Sequence, residues 1–344
     1  MKKAKLAGAI LILAALLVRP EAAVSGAQRA MRLWCGGVAP ALFPFLALLP
    51  ALTGPEACAA YNAIFSRLMR PLFGLPGAAA PALIAGLIAG SPGGAIAVRR
   101  VAAESGMSAG DARRMGLALC GFSPAYLISG VGVGLYGSAA LGAKLALIQM
   151  CVQLLLLALL RGSVEGGEKV APLPDAARAQ NPVRAAVESA LGICGYMVFF
   201  SAVACAAASF FGEIAGAALL LAIDLPSGLA GLAQWEAPGR MLVQGMAIGF
   251  GGLCLAAQNL DALRPLGAKW GEYLGVRGIA ASIFACSSGL LLRPIAPQME
   301  IYAGNVRRAY AFSLLAAALC ALPGLILLSK SLFLNKANPR DFKG

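Results

Sequence analysis

The chain has no histidine. That one gap removes imidazole general bases, Ser-His triads and histidine metal sites together. Charge is scarce too: 12% of the 344 residues are charged, against about 25% in a soluble domain. The nine cysteines (Cys35, Cys58, Cys120, Cys151, Cys194, Cys205, Cys254, Cys286 and Cys320) never form a C-x-x-C pair. Most lie in apolar runs and read as small buried hydrophobes, not as a zinc or redox motif. No metal and no cofactor is expected from these residues.

What is present is apolar length. The chain is 60% hydrophobic, with mean hydropathy +0.79. Several runs reach about 20 residues, enough to span a bilayer. The reading is an all-α polytopic membrane protein. Its net charge of +13 fits cytoplasmic loops rich in Lys and Arg. No aromatic-plus-basic patch suggests base stacking, so nucleic acid is not an expected partner.

Some of the apolar runs are interrupted, and the interruptions recur in order. The first half carries Gly90-Ser91-Pro92-Gly93-Gly94, then Gly121-Phe122-Ser123-Pro124. The second carries Asp224-Leu225-Pro226-Ser227-Gly228, then Gly249-Phe250-Gly251-Gly252. Non-helical backbone at membrane depth is tolerated only where protein buries it or a cavity reaches it. Paired breaks at matching places in two halves point to the solute site of a carrier.

Threaded through a membrane, the chain gives about eight transmembrane helices plus two re-entrant hairpins. Lys2, Lys3 and Lys5 precede a first apolar run, Leu6 to Val18, read as an uncleaved helix rather than a signal peptide. Arg29 to Arg32 lead into a second span over 33–53. Hairpins fall at 78–98 and 215–235, and a mixed interfacial stretch at 66–77. Spans broken at their glycines or prolines fall at 115–137 and 241–260; plain spans fall at 139–160, 184–211 and 273–292. The stretch 99–114 reads as a polar loop carrying four arginines. With the N-terminus inside, 19 Lys and Arg fall inside and 7 outside, as the positive-inside rule requires. The repeats, 33–160 and 184–293, are then related by inversion across a cytoplasmic linker, 161–183. A last helix covers 308–329.

The Ser-Pro pairs carry the chemistry. Serine is a favoured N-cap and proline a favoured first helical residue, so Ser91-Pro92 and Ser123-Pro124 are each expected to start a half-helix inside the membrane. Such a start offers free backbone N–H groups and a positive dipole end, which suits a carboxylate or phosphate. The candidate solute site draws on Ser91, Pro92, Gly93, Gly94, Phe122, Ser123, Pro124, Tyr126, Ser227, Gly251, Gly252 and Gln258. Pro226-Ser227 and Gly251-Gly252 would add helix starts from the second half. Asp224, at the second hairpin's tip, is a candidate ligand for a coupling Na⁺ or H⁺, or a cap for the next half-helix. Glu188 and Lys144 lie near span ends and suit surface roles. Arg277 is expected to pair with Asp261 or Glu272 or to reach an anion. Gln149, Gln153, Gln258 and Asn259 would bind solute or join helices.

Enzyme motifs are missing. Gly121-Phe122-Ser123 has no histidine to serve it. Gly137 to Lys144 has P-loop-like spacing, but its lysine is misplaced and no Ser or Thr follows.

Trp34 with Pro40-Ala41-Leu42-Phe43-Pro44-Phe45 and Met69-Arg70-Pro71-Leu72-Phe73-Gly74-Leu75-Pro76-Gly77, the Gly90/Pro92/Gly94 tip, Cys120 to Pro124, and Gly251-Gly252-Leu253 with Gln258 resemble sporulation integral membrane proteins of the YlbJ type, within the group carrying the nucleoside-recognition Gate domain. The resemblance implies a role in endospore formation in the mother-cell-derived outer forespore membrane. It also implies movement of dipicolinic acid, a planar dicarboxylate, towards the spore. Ile96, Ala256 and the Gly121-Phe122 pair depart from the family pattern and bear on the solute. The expected function is thus a carrier for a small anionic solute in a lipid bilayer. A nucleoside or nucleobase carrier and a non-transporting sporulation scaffold are the alternatives.

Overall fold

The computed structural model describes residues 2–162, 168–171, 181–232 and 240–291. Among them, regular structure is helical throughout. The helix expected over 308–329, most of the linker over 161–183 and the last residues of the second repeat lie outside this set.

The chain begins with α1 (Lys2–Val18) and α2 (Pro20–Leu33), bent by 97° at Arg19. A π-helical turn, Trp34–Val38, leads into α3 (Ala39–Thr53). α4 (Pro55–Phe73) follows after a 76° bend at Gly54. Prolines open α2 and α4 at positions where their missing N–H costs nothing. The stretch Arg29 to Arg32, expected to lead into the second span, instead belongs to α2, which packs along the long helix α10 (Pro182–Ala208). Gly26 allows this: a Cβ there would lie 2.5 Å from the Ser201 carbonyl. The Ser201 hydroxyl also donates to the Gly26 carbonyl at 3.0 Å.

The first hairpin is α5 (Ala80–Ala89) and α6 (Gly93–Ser105). At 1.5 Å per residue α5 is about 15 Å long, half a bilayer, and α6 about 20 Å. Its arms touch backbone to backbone, since a Cβ on Gly94 would meet Gly86 Cα at 2.7 Å. The polar loop expected over 99–114 is a correction. Gly106, at φ +62°, ends α6, and α7 (Ala109–Leu119) starts at once. Ser108 caps it, accepting from Asp111 N at 3.0 Å and donating to the Asp111 carboxylate at 2.9 Å. Arg114 is buried, holds Asp111 at 2.8 Å, and donates to the Phe73 and Gly74 carbonyls that end α4. The interfacial stretch expected over 66–77 is the end of α4 and its left-handed turn at Gly74.

After the break at 120–123 come α8 (Tyr126–Tyr136), largely π-helical, and α9 (Ala139–Leu159). The second half opens on α10, capped by Asn181. Its hairpin is α11 (Glu213–Ile223) and α12 (Leu225–Leu232), closed by Gly228, whose Cβ would lie 2.5 Å from Leu221 N. Then follow α13 (Arg240–Phe250), α14 (Gly252–Leu263) and α15 (Trp270–Leu291). Hairpin, broken pair and continuous helix therefore occur in the same order twice.

By length and composition, three helical stretches of the described residues can cross a membrane: Ala139–Leu159, Pro182–Ala208 and Arg240–Leu266. The count is five if each bent pair forms one span. The eight spans expected from the sequence are thus matched in part. Large apolar side chains such as Leu11, Leu17, Ile64 and Leu191 are exposed on these helices. In water such a surface would associate, whereas facing lipid it is the expected exterior.

Candidate functional site

The four breaks meet pairwise. Gly90, at φ +64°, lies so close to the second break that a Cβ would sit 2.4 Å from Ser123 N. Ser91 N donates to the Gly121 carbonyl at 2.7 Å, and Gly121 N donates to Ser91 Oγ at 2.9 Å. The orphaned backbone groups of each break are thereby satisfied by the other. In the second half, Gly252, at φ +78°, faces the Ile223 carbonyl and Leu225 Cβ, each 3.5 Å from a Cβ built there. Neither Gly90 nor Gly252 can gain a side chain without strain.

The two Ser-Pro pairs behave differently. Ser123 accepts from Tyr126 N at 3.2 Å, three residues on, as an N-cap does. Ser91 does not cap. Pro92 holds the cap position of α6, and the Ser91 hydroxyl is spent on Gly121. Because Ser91 crosses to the other break, its pair starts a helix without a side-chain cap. In the second hairpin, Ser227 donates to the Asp224 carboxylate at 2.6 Å, and Asp224 is buried at the break between α11 and α12.

Arg277 joins the halves. Its side chain is 1% exposed. It donates to the Cys120 carbonyl at the end of α7, and to the Gly249 and Phe250 carbonyls at the end of α13. A cation between two helix C-termini meets the negative ends of both dipoles. It pairs with neither expected acid, and Glu272 lies 3.6 Å from Arg113 instead. The sequence showed an arginine in an apolar run. It did not show that the free acceptors were backbone carbonyls released by distant breaks.

The breaks open onto one cavity of about 720 Å³, within the range of small-ligand sites, roughly 300–1,000 Å³. Of the sequence-predicted residues, Ser91, Phe122, Ser123, Tyr126, Asp224, Ser227, Gly251 and Gln258 line it. Pro92, Gly93 and Gly94 are buried in hairpin packing, with Gly93 against Leu42 and Phe45. Pro124 and Gly252 also lie off the cavity wall. Phe122 and Tyr126 stack with ring centroids 5.2 Å apart, a flat aromatic surface beside the Ser123 cap. Sequence reasoning missed Arg29 and Arg32, which line the cavity from α2. Their signal was the three-residue spacing within a polar-faced helix, which places both on one side.

Some of the other polar residues join helices. Gln153 donates to the Leu119 carbonyl at 2.7 Å. Asn259 donates to Tyr273 at 3.1 Å, and Tyr136 to Gln244 at 2.5 Å. Gln149 is buried against Gly121. Glu188 forms an exposed pair with Arg184, and Lys144 is exposed. Among the described residues, no group of three Cys, Asp or Glu side chains is placed to hold a metal.

Buried helix breaks, apolar helices of spanning length and a lipid-suited exterior define a helical integral membrane protein. The chain is similar to the sporulation integral membrane protein YlbJ of Bacillus subtilis (strain 168), with 28% identity over 137 residues, 40% of this chain. The match covers 34% of that protein's length. No family model and no solved structure matches the chain.

Proposed function

We propose that the protein is a sporulation membrane carrier for a small anionic solute, and that dipicolinic acid is that solute. The observation that carries this reading is the meeting of breaks from both halves on one cavity. A carrier needs a binding site where two repeats meet, so that small movements of one against the other expose it to alternate sides. Hairpin tips are suited to such movement, being short half-helices joined by tight breaks, at Gly90 to Pro92 in the first and at Asp224 in the second. The Ser123-capped start of α8 presents a positive dipole end to an anion, with Ala125 on the cavity wall. The Phe122–Tyr126 stack offers its face to a planar ring. Asp224, held by Ser227, would take the coupling Na⁺ or H⁺. The two repeats would be inverted, with α5–α6 entering from the cytoplasm and α11–α12 from the opposite side. The membrane would be the outer forespore membrane, as the resemblance to YlbJ-type proteins implies.

Uptake of radiolabelled dipicolinate into vesicles containing the purified protein tests this. Saturable uptake above that of protein-free vesicles is expected. Uptake equal to the protein-free control would overturn it. The aromatic stack would also serve a nucleobase, so uptake of radiolabelled uridine and adenosine is measured alongside. Saturable uptake of either nucleoside, with no dipicolinate uptake, would establish the nucleoside carrier instead.

A further inference from the structure

We infer that Arg29 and Arg32 of α2 are the residues that make the cavity select a dicarboxylate over a monocarboxylate. This rests on the anionic-solute reading above and adds the residues that recognise a second charge. The cavity wall carries three charged side chains among the described residues: Arg29, Arg32 and Asp224. The two arginines come from a helix outside both sets of breaks. They stand one helical turn apart, and neither forms an ion pair among the described residues. Arg29 donates to Ser25 Oγ at 3.0 Å and to Cys205 Sγ at 2.8 Å, both neutral acceptors. A guanidinium has five N–H donors, so most of this pair's capacity is free. Arginine forks match a carboxylate with two parallel bonds.

The position of α2 is fixed by packing, not by these charges. Gly26 seats it against Ser201 and Cys205 of α10. The right-angle bend at Arg19 turns it away from the line of α1. A helix carrying Glu21, Gln28, Arg29 and Arg32 would be costly against lipid, and its arginines instead face the cavity. A solute with one carboxylate at the Ser123 helix start and another at the arginines would use both anion sites. A monocarboxylate would use one. Asp224, on the same wall as Ser227, disfavours placing the second carboxylate at the second hairpin.

Binding of pyridine-2,6-dicarboxylate and pyridine-2-carboxylate to the full-length protein in detergent distinguishes the cases. Wild type is expected to prefer the dicarboxylate by tenfold or more. The double variant Arg29→Gln/Arg32→Gln is expected to lose most of that preference, and Arg32→Gln alone to lose part. Arg32 is exposed, so the single variant keeps the test readable if the double variant inserts poorly. Wild-type preference retained in the single variant and in any double variant that elutes as a monodisperse species would overturn the assignment. If wild type binds neither compound, the anionic-solute reading fails, and this inference with it. If wild type binds both equally, the reading stands and this inference alone falls.

Discussion

Arg277 donates a hydrogen bond to the Cys120 carbonyl, 157 residues earlier in the chain. Its other nitrogens reach the Gly249 and Phe250 carbonyls. One side chain therefore closes the C-terminal ends of two interrupted helices, one from each half. Backbone acceptors buried without partners cost about 1–3 kcal/mol each, so breaks of this kind persist only if something supplies donors. In the first half each tip also supplies the other, through Ser91 and Gly121. Between the halves, Arg277 does it.

Arg277→Gln is accordingly expected to destabilise the folded protein by about 3 kcal/mol, the scale of one or two carbonyls left unpaired. Arg277→Lys should recover part of this, because an ammonium reaches fewer of the three acceptors and lacks the planar fork. Thermal unfolding in detergent, followed by the monodisperse fraction on size exclusion, measures both. A wild-type midpoint for Arg277→Gln would show that the three carbonyls find other donors.

Gly90→Ala should separate tip geometry from general tolerance of alanine. At φ +64°, with Ser123 N 2.4 Å from the new Cβ, the two breaks must move apart. Gly192→Ala, on α10 with nothing within 4 Å, is the matched control. We expect Gly90→Ala to lose uptake by tenfold or more, while Gly192→Ala transports as wild type. Equal uptake by the two variants would mean that contact between the breaks is not needed for transport.

Much of this arrangement was readable from residue order. Three of the four breaks stand where Gly, Ser or Pro interrupts an apolar run, because those residues cannot continue a helix without cost. The third in order stands at Asp224, with Pro226, Ser227 and Gly228 inside α12. What the sequence did not carry was pairing across long separations. Ser91-Pro92 and Ser123-Pro124 are the same local device, yet only Ser123 caps its helix, since Ser91 is recruited by Gly121. The run 99–114 looked like a loop because of its arginines. Arg114 is buried only because the end of α4, some 40 residues earlier, presents bare carbonyls to it. Arg29 and Arg32 looked like a flanking charge cluster. Their place on the cavity depends on Gly26 fitting α10, a contact at a separation of 175 residues.

The inverted arrangement of the repeats is open to a labelling test. Single cysteines at Ser105 and Gly212, in a background with the native cysteines replaced, mark the last residue of the first hairpin and the residue just before the second. Under inversion, Ser105→Cys reacts with an impermeant maleimide from the cytoplasmic side and Gly212→Cys from the opposite side. Reaction of both from one side excludes the inverted topology and, with it, entry of the hairpins from opposite faces.

Ser123 is where helix start and solute contact are combined. An N-cap serine replaced by alanine costs about 0.5–2 kcal/mol, which loosens α8 without unfolding the protein. Ser123→Ala is therefore expected to express and insert normally but to take up dipicolinate several-fold more slowly. Ser123→Asp restores a good cap and places a fixed negative charge where the solute's carboxylate would lie. If the helix start binds the anion, uptake falls in the order wild type, Ser123→Ala, Ser123→Asp. The opposite order for the two variants, with aspartate rescuing transport that alanine loses, would make Ser123 a cap alone. The anion would then have to bind elsewhere on the cavity wall, with Arg29 and Arg32 as the remaining charged donors that line it.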